Sequence, residues 1–206
     1  MERLLRERRK VSGALLFVAA FATLMGIITA EARYPKGYST ATNDISDLGA
    51  PGGEHSVTHQ PSAAIFNTAM VVSGAAIGLG AVFVHRTYRR WAVTLPLSLL
   101  GIGLVGVGVF PSNYSDIHAM FALLALVSGG VAAAMSYGVL AAPFRYIAAA
   151  LGVVSLLSLA LAGVLGPVLG DGGMERWTAY PVTLWLAGFG GYLMSARHPD
   201  ATVSSD

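Results

Sequence analysis

The sequence predicts an all-α membrane protein, a bundle of six transmembrane helices with both termini in the cytoplasm. Three observations lead to this prediction. Only 12% of the 206 residues are charged, compared with about 25% in soluble domains, and the mean hydropathy is +0.62. Six apolar stretches each approach the roughly 20 residues that a helix needs to cross a bilayer. The basic residues are concentrated in the segments on one side of those stretches.

The six predicted spans have interiors without charged residues or histidine, and together they form one membrane domain covering residues 1–206. They cover residues 11–31, 62–84, 92–110, 119–142, 146–169 and 178–196. The first stretch also resembles a cleavable signal peptide, but its apolar run of about 20 residues exceeds the usual signal core. We therefore expect an uncleaved first span.

The distribution of basic residues predicts the orientation. Ten of the thirteen Lys and Arg lie in the N-terminal segment, the loops after spans 2 and 4, and the C-terminal tail. The opposite side carries only Arg33, Lys36 and Arg176. By the positive-inside rule, the richer side is cytoplasmic and the protein is a multi-pass protein of the cell membrane.

The composition also excludes some functions. With no cysteine, the chain has no disulfide, thiolate metal site or cysteine nucleophile. Because the basic residues are explained by topology, we expect no nucleic-acid partner. The expected partners are membrane lipids, together with a second copy of the chain or other subunits of a membrane complex. Glycines such as Gly74 and Gly78 indicate close helix packing.

Most polar residues of interest fall in three loops on the predicted outer side, at 32–61, 111–118 and 170–177. His118 is a candidate general base, metal ligand or interfacial polar group, with Asp116 and Asp47 as catalytic residues that orient it. Asp116 is also well placed to cap the N-terminus of span 4 through its carboxylate.

Four further residues are candidates for ligand binding. Arg176 can hold a phosphate or carboxylate through two parallel hydrogen bonds, or instead form a salt bridge with an acidic residue of the outer loops. The acidic candidates for that salt bridge are Asp47, Asp116 and Asp171. The other three ligand-binding candidates are Glu175, in the first turn of span 6, Tyr114, at headgroup level, and Asn67, about one turn below the outer surface.

The histidines raise the question of a metal site. His55 and His59 are four residues apart, which is the spacing of zinc ligands on one helical face. With His118 they form a candidate site for a divalent metal such as zinc. The same spacing is also compatible with a solvated loop, because Pro61 interrupts any helix through this segment.

Four motifs at loop–helix junctions resemble one known family. The motifs are YPKGYS (34–39), ISDLGAPG (45–52), FPSNYSDIHAMFA (110–122) and GGMERWTAYPVTLW (172–185). They resemble the bacterial and archaeal membrane family called domain of unknown function 998, over nearly the whole chain. The segment Ile45-Ser46-Asp47 and the span count are also similar to the eukaryotic Frag1/DRAM/Sfk1 proteins, a likeness that implies a lipid-related role.

Three functions remain open at this point. The first is a protein that binds or modifies a lipid headgroup or acyl ester through the outer polar cluster. The second is a non-catalytic lipid-binding or assembly subunit, in which the same cluster fixes the loops. A transporter ranks lower, because no predicted span carries an ionisable residue near its centre. The repeated hexapeptides YPKGYS and FPSNYS are expected to act as paired hinges that bring the outer loops together.

Overall fold

The computed structural model describes residues 2–53 and 56–195, and all regular structure in these ranges is helical. The prediction of an all-helical protein is therefore confirmed. The α-helices are α1 (Glu2–Arg33), α2 (Ser62–Tyr88), α3 (Trp91–Val109), α4 (Asp116–Met135), α5 (Phe144–Ala160), α6 (Ala162–Leu169) and α7 (Asp171–Ser195). Short 3₁₀ turns cover Ser46–Leu48, Ser112–Tyr114 and Ser136–Gly138.

The long helices pack in a ring. Each of α1 to α5 packs against the next along the chain, and α7 closes the ring by packing on both α5 and α1. Its side chains Trp185 and Phe189 are fully buried, with their rings stacked 5.4 Å apart. The indole nitrogen of Trp185 donates a hydrogen bond to Ser136, 3.0 Å away. The helix that is last in the chain thus contributes the two largest fully buried side chains of the core.

Glycine permits the closest helix contacts. A Cβ on Gly103 of α3 would lie 2.7 Å from the backbone nitrogen of Ala125 on α4. A Cβ on Gly74 of α2 would lie 2.5 Å from the carbonyl oxygen of Gly101 on α3. Helices in lipid associate through such close packing, because lipid tails are as apolar as the helix surfaces.

Within the described part of the chain, four helices are long and apolar enough to cross a membrane: α1, α2, α3, and α4 with the 3₁₀ turn after it. The pair α5 and α6 makes a fifth if it is counted as one span. The span predicted over 146–169 is not one continuous helix, because the chain bends by 87° at Leu161. Gly163, Gly166 and Pro167 are poor helix formers and weaken the helix beyond this point.

Candidate functional site

The end of the bundle where α1 ends and α7 begins, called here the Arg176 end, is organised around one arginine. Arg176 is only 9% exposed. Its Nη2 donates to a carboxylate oxygen of Glu31 at 2.5 Å and to the hydroxyl of Tyr38 at 2.7 Å. Its Nη1 donates to the backbone carbonyl oxygens of Thr40, Asn43 and Gly172, at 2.9, 3.0 and 2.9 Å. One side chain therefore joins α1, the loop after it and α7.

The partner of Arg176 differs from those that the sequence suggested. Among the described residues its ion pair is with Glu31, in the last turn of α1, and not with Asp47, Asp116 or Asp171. The two residues are 145 positions apart in sequence. Only the packing of α7 against α1 brings them together. Both side chains are well shielded, with exposures of 10% for Arg176 and 22% for Glu31.

The loop after α1 is fixed by further hydrogen bonds. A carboxylate oxygen of Asp47 accepts from the side chain of Asn43 and from the backbone nitrogen of Asp44, both at 3.2 Å. The backbone nitrogen of Ile45 donates to Glu175 of α7. The amide of Asn67 donates to the carbonyl of Gly49 at 3.2 Å. Of the predicted site residues, Asn67 and Glu175 thus hold the loop against the helices, and Asp47 fixes the loop internally.

Burial shifts the pKa values of several groups in this cluster. Burial raises the pKa of Asp44, and the nearby Asp47 raises it further. Glu175 precedes the predicted span 178–196, and burial followed by the charge of Asp44 raises its pKa to about 7. Burial also raises the pKa of the Tyr38 hydroxyl well above its usual range. The cluster therefore contains two carboxyl groups whose charged forms are disfavoured.

His118 is buried, with 7% exposure, and both ring nitrogens have protein partners. Nδ1 donates to the carbonyl oxygen of Phe110 at 2.7 Å, just after the end of α3. This bond fixes the tautomer, so Nε2 accepts from the hydroxyl of Ser112 at 3.3 Å. The imidazole thus links the start of α4 to the end of α3.

The other predicted residues lie apart from this network. Asp116 is exposed and is the first residue of α4, with Ser115 before it, and no side chain forms a capping hydrogen bond there. The predicted cap at Asp116 is therefore wrong. Tyr114 is exposed and packs its ring against Phe110. No hydrogen bond between described side chains joins His118 to Asp116 or Asp47.

Of the three histidines in the metal prediction, His59 and His118 contact different residues. His59 packs edge-on against the ring of Tyr34, with centroids 4.9 Å apart. His55 lies outside the described residues. Within residues 2–53 and 56–195, no three His, Asp or Glu side chains are close enough to hold a metal ion. A site that includes His55 stays a prediction.

A second polar site lies at the opposite end of the bundle, where α2 ends and α3 begins. A pocket of about 460 Å³ is lined by Arg8, His85, Arg86, Arg89 and Trp91, and is called here the basic pocket. The rings of His85 and Trp91 are 4.1 Å apart, and His85 Nδ1 is 3.0 Å from the hydroxyl oxygen of Thr94.

No ion pair involves the arginines of the basic pocket among the described residues, where the two ion pairs are Lys10–Glu7 and Arg176–Glu31. In the sequence, these arginines predict the orientation of the chain, and the two most basic segments are expected near anionic headgroups. Arg86 lies in the last turn of α2 and Arg89 directly follows the helix, so the group of arginines at 86, 89 and 90 was the signal in the sequence for the pocket.

The chain matches one known protein family over a region that includes residues from both ends of the bundle. Residues 17–192 match the family described as "Protein of unknown function (DUF998)". The chain belongs to this family. The match confirms the resemblance carried by the four junction motifs. In this DUF998 member the matched region contains the Arg176 network, Arg86 and Arg89, and it begins after Arg8. No curated protein and no solved structure matches the chain.

Proposed function

We propose that this DUF998 protein is a non-catalytic protein of the cell membrane that binds anionic phospholipid in the basic pocket. The observation that carries the proposal is a pocket with three arginines and no acidic partner among the described residues. Guanidinium groups bind phosphate oxygens through paired hydrogen bonds. Trp91, which is 67% exposed, is suited to the interface between headgroups and acyl chains.

The proposal includes six spans with both termini in the cytoplasm. The four apolar helices and the bent pair supply five spans, and α7 is the sixth. Its 25 residues extend about 37 Å, which exceeds the roughly 30 Å thickness of the hydrocarbon core, so the first turn with Glu175 lies outside that core. Because α7 is largely covered by other helices, it has less need of a fully apolar surface. The basic pocket then faces the cytoplasmic leaflet, where anionic lipids attract basic groups.

The bonds at the Arg176 end favour a non-catalytic role over lipid modification. A headgroup phosphate would have to displace Glu31 and the three backbone carbonyls from Arg176. A general base at His118 would have to give up its bonds to Phe110 or Ser112. These contacts support the interpretation of the outer cluster as a plug that fixes the loops.

Fluorescence quenching can test the binding proposal. The protein carrying Trp177→Phe is reconstituted in vesicles, so that Trp91 is the main exposed indole, since Trp185 is fully buried. Brominated phosphatidylglycerol is then compared with brominated phosphatidylcholine at equal mole fractions. We expect Trp91 to associate with the anionic lipid at least about five-fold more strongly, since each basic group near the surface contributes about 1 kcal/mol.

The matched variants locate the binding. In the same Trp177→Phe background, Arg86→Gln with Arg89→Gln should remove the preference for anionic lipid. The control, Arg3→Gln with Arg6→Gln, removes the same charge from exposed positions that do not line the pocket, and it should keep most of the preference. Equal quenching by the two lipids, or equal losses in both double variants, would show that the pocket has no specific role.

A further inference from the structure

The ring of helices lines a cavity separate from the basic pocket. Its volume is about 80 Å³, and it lies between α1, α2, α3, α4 and α7. Most of its wall is apolar, with side chains that include Ile27, Met70 and Leu104. Glu175 and His118 also line it, but both have protein partners.

The wall also carries a hydroxyl group without a partner. Thr23 of α1 lines the cavity and is 7% exposed, and its Oγ1 forms no hydrogen bond with any described residue. The other buried threonines donate to the carbonyl four residues earlier in their own helices. These are Thr94, Thr178 and Thr183, with distances of 3.1, 3.0 and 3.0 Å.

The carbonyl that would pair with Thr23 in this way already has a partner on another helix. The carbonyl four residues earlier belongs to Ala19, and it accepts a hydrogen bond from Ser73 of α2 at 3.1 Å. Thr23 forms no second bond to it. A buried hydroxyl left unpaired costs free energy, so native proteins rarely keep one without a partner from water or a ligand.

We propose that this cavity binds a small neutral amphiphile, whose hydroxyl or carbonyl group hydrogen-bonds to Thr23 while its hydrocarbon part contacts the apolar wall. The volume is about half that of the roughly 150 Å³ apolar cavity that holds benzene, which corresponds to a chain of about three or four carbons. No Lys or Arg lines the cavity and His118 already has two protein partners, so a neutral group fits better than an anion.

Photolabelling of the full chain tests this assignment. The protein in lipid nanodiscs is labelled with a diazirine-bearing butan-1-ol, and labelled peptides are mapped by mass spectrometry. We expect saturable labelling of cavity-lining residues on α1 and α7. Unlabelled propan-1-ol and butan-1-ol should compete, whereas octan-1-ol should compete poorly because it exceeds the cavity.

The chain offers a matched pair of variants. Thr23→Val keeps the side-chain shape and removes the unpaired hydroxyl, so it should weaken labelling about five-fold, as expected for one hydrogen bond. Thr183 lines the same cavity from α7, and its hydroxyl already donates to the carbonyl of Ala179. Thr183→Val should therefore leave labelling unchanged. Thr23→Ser restores a hydroxyl and should restore labelling.

Two results would overturn the proposal. One is the absence of saturable labelling at the cavity, which would leave only water for Thr23. The other is an equal loss in the two valine variants, which would show that the hydroxyl of Thr23 is not special. Both outcomes are distinguishable from failure of the phospholipid proposal, because the quenching experiment probes Trp91 at a different site.

Discussion

Replacing Arg176 with leucine should destabilise the protein strongly. The substitution removes the guanidinium that joins Glu31, Tyr38 and three backbone carbonyls, while leucine still fills part of the space. The carboxylate of Glu31, 22% exposed, is then left without its ion-pair partner. The loop after α1 also loses its main attachment to α7.

The magnitude follows from the shielding of the pair. Removing one partner of a buried ion pair costs about 3 to 5 kcal/mol. Because Glu31 retains some contact with solvent, we expect the lower part of that range, about 3 kcal/mol. The assay is denaturant unfolding in mixed micelles, followed by far-ultraviolet circular dichroism.

A double-mutant cycle with Glu31→Gln separates the pair from general packing. Once Glu31 carries no charge, the loss of Arg176 leaves no unpaired carboxylate there, so the double variant should be more stable than the sum of the single losses by about 1 to 3 kcal/mol. The control Arg33→Leu removes an exposed arginine from the same end of α1 and should change stability by less than about 0.5 kcal/mol. A loss below about 1 kcal/mol for Arg176→Leu, or simple additivity in the cycle, would refute the reasoning.

Three other predictions concern packing, pH and topology. Gly103→Ala should lower the free energy of unfolding by about 1 to 3 kcal/mol in the same assay, because the added Cβ would meet the backbone of α4. The control Gly78→Ala, where an added Cβ has nothing within 4 Å, should be nearly neutral. Burial raises the pKa of Glu175 from 4.5 to about 7, so the folded state binds the proton more tightly than the unfolded state does. The free energy of unfolding should therefore fall by roughly 3 kcal/mol as the pH rises between those values. Glu175→Gln should flatten that decline in thermal unfolding measured across a pH series, and an unchanged decline would assign it to another group. Because the chain has no cysteine, single cysteines can report its orientation. Lys36→Cys should react with an impermeant thiol reagent added outside intact cells, and Arg89→Cys should not. The reverse pattern would show that the proposed orientation is wrong.

The sequence was most informative where hydropathy alone determines structure. The span predicted over 92–110 corresponds to α3 at Trp91–Val109, and that predicted over 62–84 corresponds to α2 at Ser62–Tyr88. Apolar runs of this length have few alternatives in a membrane protein. The break at Leu161 was not predicted, because the residues on both sides of it are equally apolar and hydropathy carries no directional information.

The residues singled out from the sequence include several of the Arg176 end, but their partners were not predicted and their functional roles stay predictions. Arg176, Glu175, Asp47 and Asn67 were singled out, and each proves to fix the loops at one end of the bundle. The Glu31 partner was missed, because a bond across 145 residues depends on which helices are neighbours. The unpaired hydroxyl of Thr23 was equally hidden, since which polar groups meet inside the bundle, such as Ser73 and the carbonyl of Ala19, depends on which helices are neighbours.

Native mass spectrometry tests the central claim most directly. The intact protein, released from nanodiscs that contain equal amounts of phosphatidylglycerol and phosphatidylcholine, is examined for retained lipid. We expect the wild type and the Arg3→Gln/Arg6→Gln variant to retain phosphatidylglycerol preferentially, and the Arg86→Gln/Arg89→Gln variant to lose that preference. Unchanged retention of phosphatidylglycerol by the Arg86→Gln/Arg89→Gln variant would contradict the assignment of the basic pocket as a phospholipid site.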